Sequence, residues 1–402
     1  MSIRQEIAVL IDAAARAAQA AGEIPAVVLP DPAVERPARP EHGDYASSLP
    51  MRLARAAGKN PLVLAEAIAR RVAPNAAIPI TMEFAPDGRL FYNERDTGNV
   101  RVMMPDGQVL AKPFVKVDLA LGTGWGLLGL ALDPDFETNH YVYIYFTKPS
   151  GDKTARPVVM RFTDAENLGA NPVTIIDDLP EATVFGEYAV GGQMDFDQDG
   201  YLYISIGDHV LHQLAQDLGS VRGKILRVNK EDGSAAPDNP FLNDSSADPR
   251  VFAYGFLDAD YLAFQPQTGD LFVTEAGTYF CCDELNFVKK GQNYGWPQIG
   301  REQTGAPPVH FFTYPGLPLE GSKVNPAGLA FVSGKVYSAL GDSLLVCEAA
   351  TKYMRRLVLS ANQGKVTSDD IIVGDCTLDI AVAPDGRVYY SNDTEIRRLV
   401  QG

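Results

Sequence analysis

One turn-and-strand unit occurs six times after residue 78, and it constrains the fold more than any other feature. Each copy places a turn rich in Gly or Asp before a run of alternating apolar and polar residues, as in LYIS, LFVT and VYYS. Such alternation is typical of strands with one buried face. The copies lie about 50 to 70 residues apart, which suits a four-stranded propeller blade with its loops. They are APDGRLFYNERDTGNVRVM from Ala85, DPDFETNHYVYIYFT from Asp133, DQDGYLYISIGD from Asp197, QPQTGDLFVTEAG from Gln265, SGKVYSALGDSLLVCEA from Ser333 and APDGRVYYSNDTEIRRL from Ala383.

These units predict a mainly β fold, a six-bladed β-propeller over residues 78–402. A β-sandwich also has alternating strands, but it would not repeat one turn-and-strand word six times.

Residues 1–77 predict a separate, small α-helical domain. Ile3, Ile7 and Leu10 recur at helical spacing, and Ala is abundant on every face. We expect a second helix over 44–57 with Asp44 as its N-cap. A third is expected over 61–72, with Asn60 as its N-cap.

Charge is divided in the same way. Residues 1–77 hold nine Lys and Arg against eight Asp and Glu, whereas the remainder holds 26 basic and 43 acidic residues. An acidic body of this kind repels nucleic acid, so any tRNA contact is expected only through residues 1–77. No apolar run reaches 18 residues, which excludes a membrane span. Glu6 and Asp12 interrupt the N-terminal apolar pattern, so we predict no signal peptide and a cytoplasmic protein.

The words RPARPEHGDYAS and MRLARAAGKNP make the first 77 residues resemble the N-terminal additional domain of arginyl-tRNA synthetases. The resemblance implies contact with the tRNA elbow through Arg52, Arg55 and Lys59. No synthetase catalytic motifs follow, which excludes aminoacylation. The alternative, which the acidic body favours, is a helical appendage that covers the propeller funnel or aids folding.

The words GWGLLGLALDPDF, DGYLYISIGD, FVTEAG and DELNFVKKGQNYGWP resemble the soluble aldose, glucose and sorbosone dehydrogenases that depend on pyrroloquinoline quinone (PQQ). The resemblance implies a quinone and calcium over one end of the propeller. It also implies a histidine that takes the sugar's hydroxyl proton, and arginines that hold the cofactor's carboxylates.

The residues that would do this work are replaced. The family words His-x-Gly-Gly, His-Arg-Asn-Pro-Gln-Gly and Arg-x-Arg-Asp stand here as AVGG from Ala189, FLDADY from Phe256 and CTLD from Cys376. The framework words are intact, so we interpret the changes as removal of the redox site, in a chain that resembles an engineered chimera. We therefore expect no cofactor and no native dehydrogenase activity.

What remains is interpreted as a funnel for an apolar or aromatic small molecule, with a non-redox reaction such as cycloaddition or proton abstraction. A divergent PQQ- and calcium-dependent sugar oxidoreductase and a non-catalytic binding module stay as alternatives. The expected lining is Trp125, Ala189, Phe256, Leu257, Tyr261, Phe280, Ala349, Cys376 and Leu378.

Four kinds of group are candidates for chemistry, each with a structural alternative. Gln193, with Tyr188 or Tyr279, can orient two substrates, or these side chains can satisfy each other. His209 and His212 can act as bases, or lie on the rim. Asp258 and Asp260 can abstract a carbon-bound proton if their pKa values are raised, or cap a turn. Lys352 can form a Schiff base, or face solvent in a turn.

Asp283 and Glu284 are the candidate calcium ligands, with a structural cap as the alternative. The four cysteines are too few for a disulfide scaffold, and none has zinc-ligand spacing. We expect the vicinal Cys281 and Cys282 to be two small packed side chains rather than a disulfide.

Overall fold

A computed structural model describes most of the 402 residues. The described residues are 8, 11–12, 14–16, 18–19, 23–35, 46–72, 79–122, 124–151, 154–183, 190–278, 282–298, 305–313 and 323–400. The chain divides into two compact units, Met1–Ala76 and Ala77–Gly402, one residue from the predicted boundary. Among the described residues, no helix has both the length and the apolar character needed to cross a membrane.

The first unit is helical, with one short ladder. Strand β1 (Val34–Glu35) pairs antiparallel with β2 (Ala46–Ser47), and helices α1 (Leu49–Ala57) and α2 (Pro61–Val72) follow. Residues 8, 11–12, 14–16 and 18–19 are also helical.

One predicted helix start was right and one was wrong. The Oδ1 of Asn60 accepts the Leu62 N–H at 2.9 Å, which confirms Asn60 as a cap. The preceding helix begins at Leu49 rather than at 44, because residues 46–47 are held in the ladder with β1. Asp44 lies outside the described residues.

The second unit consists of six antiparallel sheets in chain order. Among the described residues of this unit, two short helices interrupt the strands, α3 (Phe136–Asn139) and a 3-10 helix (His212–Ala215). The strands are β3 (Pro79–Phe84), β4 (Leu90–Glu94), β5 (Asn99–Met103), β6 (Val115–Lys116), β7 (Leu127–Leu132), β8 (Tyr141–Pro149), β9 (Thr154–Ala165), β10 (Leu168–Ile176), β11 (Ala182–Thr183), β12 (Gly191–Phe196), β13 (Leu202–Ile206), β14 (Lys224–Val228), β15 (Val251–Tyr254), β16 (Ala259–Phe264), β17 (Leu271–Glu275), β18 (Asp283–Val288), β19 (His310–Phe312), β20 (Pro326–Val332), β21 (Ser343–Glu348), β22 (Tyr353–Leu359), β23 (Val366–Gly374), β24 (Ile380–Val382), β25 (Val388–Ser391) and β26 (Ile396–Arg398).

The sheets form a ring, which confirms the six-bladed β-propeller. The first strands of the blades, β3, β7, β12, β16, β20 and β24, contact one another in turn, and β24 contacts β3 to close the circle. These strands surround a central channel. We call the end of the channel where they begin the mouth, because the loops that precede them meet there.

A repeated hydroxyl joins neighbouring blades. LYIS ends at Ser205, LFVT at Thr274 and VYYS at Ser391, and each of these residues lies on the second strand of its blade. Their hydroxyls donate to main-chain carbonyl oxygens at the first strand of the next blade, at 3.0, 2.9 and 2.8 Å. The Ser391 bond reaches Pro79 and so joins the last blade to the first. At these three junctions, the residue that ends the repeated word also makes a contact between blades.

The retained Gly-Gly word has a packing reason. Gly192 has φ +103°, and a Cβ there would lie 2.5 Å from the ring of Tyr145. Only glycine tolerates both that backbone conformation and that approach. The framework thus keeps its glycine although the histidine of the same word is absent.

Candidate functional site

The mouth is where the sequence departs from the dehydrogenase words, and its apolar replacements are mostly packed inside the protein. Trp125, Phe256 and Cys376 are fully buried. The ring of Phe256 stacks on Tyr294 with centroids 4.7 Å apart. Leu257 packs in a buried cluster that includes Trp296. These contacts make the side chains part of the core, which argues against an open apolar lining at these positions.

The remaining predicted lining residues have mixed surroundings. Tyr261 borders the channel, and its hydroxyl donates to the Ile80 carbonyl of another blade. Leu378 and Ala349 are half-buried in loops. Four predicted positions, Tyr188, Ala189, Tyr279 and Phe280, lie outside the described residues, as does Cys281.

Two cysteine expectations are corrected. Cys376 forms a disulfide with Cys347, 29 residues earlier in the chain, with the Cα atoms 5.1 Å apart. Cys282 is also disulfide-bonded, so the expectation of an unlinked small side chain there was wrong. The position of one family arginine is therefore occupied by a disulfide sulfur.

Gln193 lies in the channel wall and joins three blades. Its Nε2 donates to the Leu128 carbonyl at 3.0 Å, and its Oε1 accepts the Thr81 hydroxyl at 2.9 Å. The side chain is 4% exposed. Both the Nε2 and the Oε1 of Gln193 are therefore hydrogen-bonded within the protein. This favours the alternative in which Gln193 pairs with neighbouring protein groups rather than with a substrate.

Carboxylates dominate the mouth and channel. Burial, reinforced by the charge of Asp208, raises the pKa of Asp258 to about 7. Burial and the charges of Asp258 and Asp379 raise the pKa of Asp260 well above its usual value. Deeper in the channel, burial and the charges of Asp195 and Asp379 also raise the pKa of Glu83 well above its usual value. The axis of the propeller is thus a column of acids that repel one another and resist full ionisation.

The nearest cations at the mouth are already engaged. Lys323 affects Asp258 electrostatically, but its Nζ donates to the Gly277 carbonyl and lies 3.7 Å from Asp283. The Nε of Arg95 contacts Asp96 at 2.7 Å. Neither side chain presents an uncommitted positive charge to an anionic ligand.

The proposed calcium pair is not arranged as a metal site. Asp283 is 1% exposed, and its oxygens accept the N–H groups of Gly277, Val324 and Asn325 at 2.6–2.9 Å. It therefore anchors two loops, as the structural alternative held. Burial raises the pKa of Glu284 to about 7. No group of three or more His, Cys, Asp or Glu that could hold a metal occurs among the described residues.

The PQQ and calcium that the resemblance implies do not fit this donor set. A tricarboxylate needs cations, and the three family arginine positions hold Leu257, Cys376 and Leu378. Carboxylic acids with raised pKa values stand beside them, at Asp258 and Asp260. An anion placed here would find no cationic partner, and it would oppose ionisation of these acids further.

The two predicted histidine bases differ. Burial, with the charge of Arg222, lowers the pKa of His209 to about 3, which makes it a poor base near neutral pH. His212 has a 43% exposed side chain, and its Nδ1 lies 2.6 Å from Oδ2 of Asp208. Lys352 is exposed in a turn, as its structural alternative held, and does not have the buried setting that a Schiff base requires.

Sequence reasoning missed Asp208 and Trp296. Asp208 is fully buried, and its Oδ2 also accepts the Trp296 indole N–H at 2.8 Å. Its Oδ1 accepts the N–H of Val210, a β-branched residue held at φ +64°. The Asp-x-x-x-His spacing directly after strand β13 could have pointed to Asp208 as the partner of His212, whereas no local signal points to Trp296.

Comparisons with known proteins agree with the fold and the sequence words. Residues 76–401 match the family described as Glucose / Sorbosone dehydrogenase, and residues 3–88 match the Arginyl tRNA synthetase N terminal domain. The aldose sugar dehydrogenase of Escherichia coli K12 is 29% identical over 338 residues, which cover 80% of this chain and 89% of that protein. The PQQ-bound aldose sugar dehydrogenase of Streptomyces coelicolor superposes with a TM-score of 0.63 at 25% identity, over 82% of this chain and 94% of that one.

The helical unit has its own relative. An arginine–tRNA ligase of Dehalococcoides mccartyi is 36% identical over 88 residues, which cover 22% of this chain but only 16% of the ligase. The propeller match is much longer and spans all six blades. This chain belongs to the glucose/sorbosone dehydrogenase family.

Proposed function

We propose that this propeller works without the family's quinone and binds a neutral or positively charged polyhydroxylated small molecule at its mouth. One observation carries the proposal: carboxylic acids and apolar groups stand where the family words place cations and amides. In the segment from Phe256, the arginine position holds Leu257, and the Asn and Gln positions hold Asp258 and Asp260.

Charge decides against an anionic ligand. Three arginine positions are lost and two acids are gained at one end of a narrow channel. Truncating one partner of a buried ion pair costs about 2–5 kcal/mol, and each 1.4 kcal/mol is about tenfold in affinity. The loss of three such partners is therefore worth several orders of magnitude in quinone affinity, before the added acids are considered.

The same acids suit a ligand rich in donors. Asp258 and Asp260 are each partly exposed as residues, although their carboxyl groups are desolvated enough to raise both pKa values. A protonated carboxyl group both donates to and accepts from hydroxyl groups, and an ammonium group placed beside it would favour the ionised form and a stronger, charged bond. This replaces the apolar ligand expected from sequence, because Trp125 and Phe256, two of the aromatic side chains expected to line the funnel, are packed in the core. The proposal holds whether the replacements arose by design or by natural divergence.

A charge series of sugars tests this function. Isothermal titration with glucose, glucosamine and glucuronate should give the tightest binding for the amino sugar and the weakest for the sugar acid. Replacing both acids, Asp258→Asn with Asp260→Asn, should weaken glucosamine binding at least tenfold. Asp385→Asn, in an exposed turn, is the matched control and should leave binding unchanged. Tightest binding of glucuronate, or no effect of the double variant, would refute the proposal.

A divergent sugar oxidoreductase is the second candidate. It is favoured by the match to the E. coli aldose sugar dehydrogenase, which spans 89% of that protein. This candidate requires quinone-dependent turnover of a sugar with an artificial electron acceptor. The first proposal requires none, so one assay separates them.

For the helical unit, we propose an appendage rather than a tRNA-binding domain. Arg52 donates to the Asp31 carbonyl at 2.8 Å, and Lys59 donates to the Glu23 carbonyl at 2.7 Å. Two of the three cations thus hold their own unit together. A gel shift with tRNA should show no complex at physiological salt, and a specific complex would contradict this role.

A further inference from the structure

We propose that the central channel holds a second binding site, a cavity beyond the mouth that takes a small organic cation rich in N–H donors, of the alkylguanidinium type. Carboxyl groups from three blades line this cavity, those of Glu83, Asp195 and Asp379. The site goes beyond the ligand proposed for the mouth, because it uses different acids in a different part of the channel.

The cavity is formed by the innermost strands of the propeller. It has a volume of about 290 Å³, and the first strands of all six blades contribute to its lining. Phe84, Phe264 and Val382 are the last residues of their strands and border the cavity, so it reaches the end of the channel opposite to the mouth. Small-molecule pockets begin at about 300 Å³, so the ligand that fits here is small.

The acids of the cavity bond to the inner edges of neighbouring blades. Among the described strands, the first strand of each blade pairs on one side only, so its other edge presents main-chain groups to the channel. Asp379 accepts the Met82 N–H at 2.7 Å, and Oε2 of Glu83 accepts the Leu132 N–H at 2.9 Å. In both cases the N–H belongs to the next blade. These bonds occupy edge donors and add acceptors, which leaves the cavity suited to a ligand that donates.

Glu83 keeps one oxygen for such a ligand. Its Oε1 has no hydrogen-bond partner among the described residues. Burial, reinforced by the charges of Asp195 and Asp379, raises the pKa of this carboxyl well above its usual value. A desolvated acceptor without a partner is costly, and the described lining contains no Lys, Arg or His that could serve it. A cation with N–H donors supplies both the bond and the charge that are missing.

Binding should exchange protons for the cation. Burial also raises the pKa values of Asp195 and Asp379 to about 7, so these acids retain protons near neutral pH. A cation among them favours the ionised carboxylates, so protons leave when the ligand enters and its affinity rises with pH. Besides one another, the titratable groups that face the three acids are Asp197, Asp260 and Tyr261.

A guanidinium group suits this arrangement better than a metal ion. No group of three or more His, Cys, Asp or Glu that could hold a metal occurs in the described part of the chain, so the three carboxyl groups do not converge on one ion. A guanidinium group is planar and directs its N–H donors outward in several directions, so it can serve acceptors that are spread around it.

Isothermal titration of the full chain with n-butylguanidinium near neutral pH tests the site. Binding should be saturable and at least tenfold tighter than that of n-butylurea, which is neutral and similar in shape. It should exceed that of tetramethylammonium, a cation without N–H donors, by the same factor. Heats measured in phosphate and in Tris should differ, because the two buffers take up released protons with different heats. The guanidinium has no proton to lose at this pH, so those protons come from the protein.

Substitutions then locate the site. Glu83→Gln still offers an oxygen to the Leu132 N–H, so its melting temperature should not fall, whereas its affinity for n-butylguanidinium should drop at least tenfold. Asp195→Asn should show the same loss and serves if the first variant does not fold. Glu395→Gln removes an exposed carboxylate on the outer part of the last blade and is the matched control, with wild-type affinity expected.

Four results would each overturn the proposal. They are equal affinities for n-butylguanidinium and n-butylurea, equal affinities for n-butylguanidinium and tetramethylammonium, equal heats in the two buffers, and wild-type affinity in a folded Glu83→Gln variant. Binding that is lost only when both mouth acids are replaced, Asp258→Asn with Asp260→Asn, would place the cation at the mouth and would also overturn it.

Discussion

Replacing Asp379 by Asn should change how the stability of the propeller depends on pH. Asp379 lies at the start of β24 and is 5% exposed. Its Oδ2 accepts the Met82 N–H from the first blade at 2.7 Å, and its Oδ1 accepts the Ile380 N–H at 2.8 Å. Burial nevertheless raises the pKa of this carboxyl to about 7 from 3.8.

The sign follows from proton binding. The native state holds the proton of Asp379 more tightly than the unfolded chain does. The free energy of unfolding therefore falls as the pH rises from the pKa in the unfolded chain, 3.8, through the pKa in the folded protein, about 7. A pKa shift of one unit is about 1.36 kcal/mol. Between about pH 5 and pH 8.5, this residue should cost the wild type about 2–3 kcal/mol. The asparagine variant has no such cost.

Thermal unfolding of both proteins across this pH range measures the effect. Asn also sets an amide donor against one backbone N–H, which destabilises the variant by about 1–3 kcal/mol at every pH. With about 2.1 cal/mol/K of unfolding entropy per residue, the melting temperature of the variant relative to wild type should rise by about 3–4 °C from low to high pH. Asp385→Asn should show no such trend. Parallel curves for Asp379→Asn and wild type would refute the reasoning.

Three further outcomes follow from the same contacts. The wild-type protein should melt at a higher temperature near pH 5.5 than near pH 8.5. The reason is that the other buried acids of the channel and mouth also have raised pKa values and lose their protons over this range. Calorimetry at a series of pH values measures this change in melting temperature. Ser391→Ala should lower the unfolding free energy by about 1 kcal/mol in urea titrations, since it removes the 2.8 Å bond to the Pro79 carbonyl. Cys347→Ser combined with Cys376→Ser should cost about 3–4 kcal/mol, because the 29-residue loop is no longer closed; equal stability with and without the disulfide would contradict this.

The blades could be predicted from the sequence because a turn-and-strand pattern recurs in all six, and in three of them it includes a residue that bonds to the next blade. The hydroxyl that ends LYIS, LFVT and VYYS is both the visible repeat and the bond to the next blade. A local pattern and a long-range contact coincide there, so periodicity alone gave the number of blades. The helix expected from residue 44 failed because a two-residue ladder with β1 competes for the same backbone.

The site was predicted less well because position does not give side-chain direction. Phe256 stands at a cofactor position in the family words, yet its ring stacks on Tyr294 in the core. Cys376 pairs with a cysteine 29 residues away, and no local signal indicates that partner. His212 was recognised as a candidate, but the carboxylate that orients it was not, although it lies only four residues earlier in the chain.

Titration of the purified protein with PQQ and calcium tests the central claim most directly. Absorbance and thermal shift would be followed together with dye-linked glucose oxidation. The Streptomyces coelicolor protein, which has been solved in its PQQ-bound form, serves as the positive control. At quinone concentrations that saturate the control, this account predicts no saturable spectral change, no shift in melting temperature and no dye reduction. Saturable binding with turnover would contradict it and establish a sugar oxidoreductase that holds the quinone through other residues.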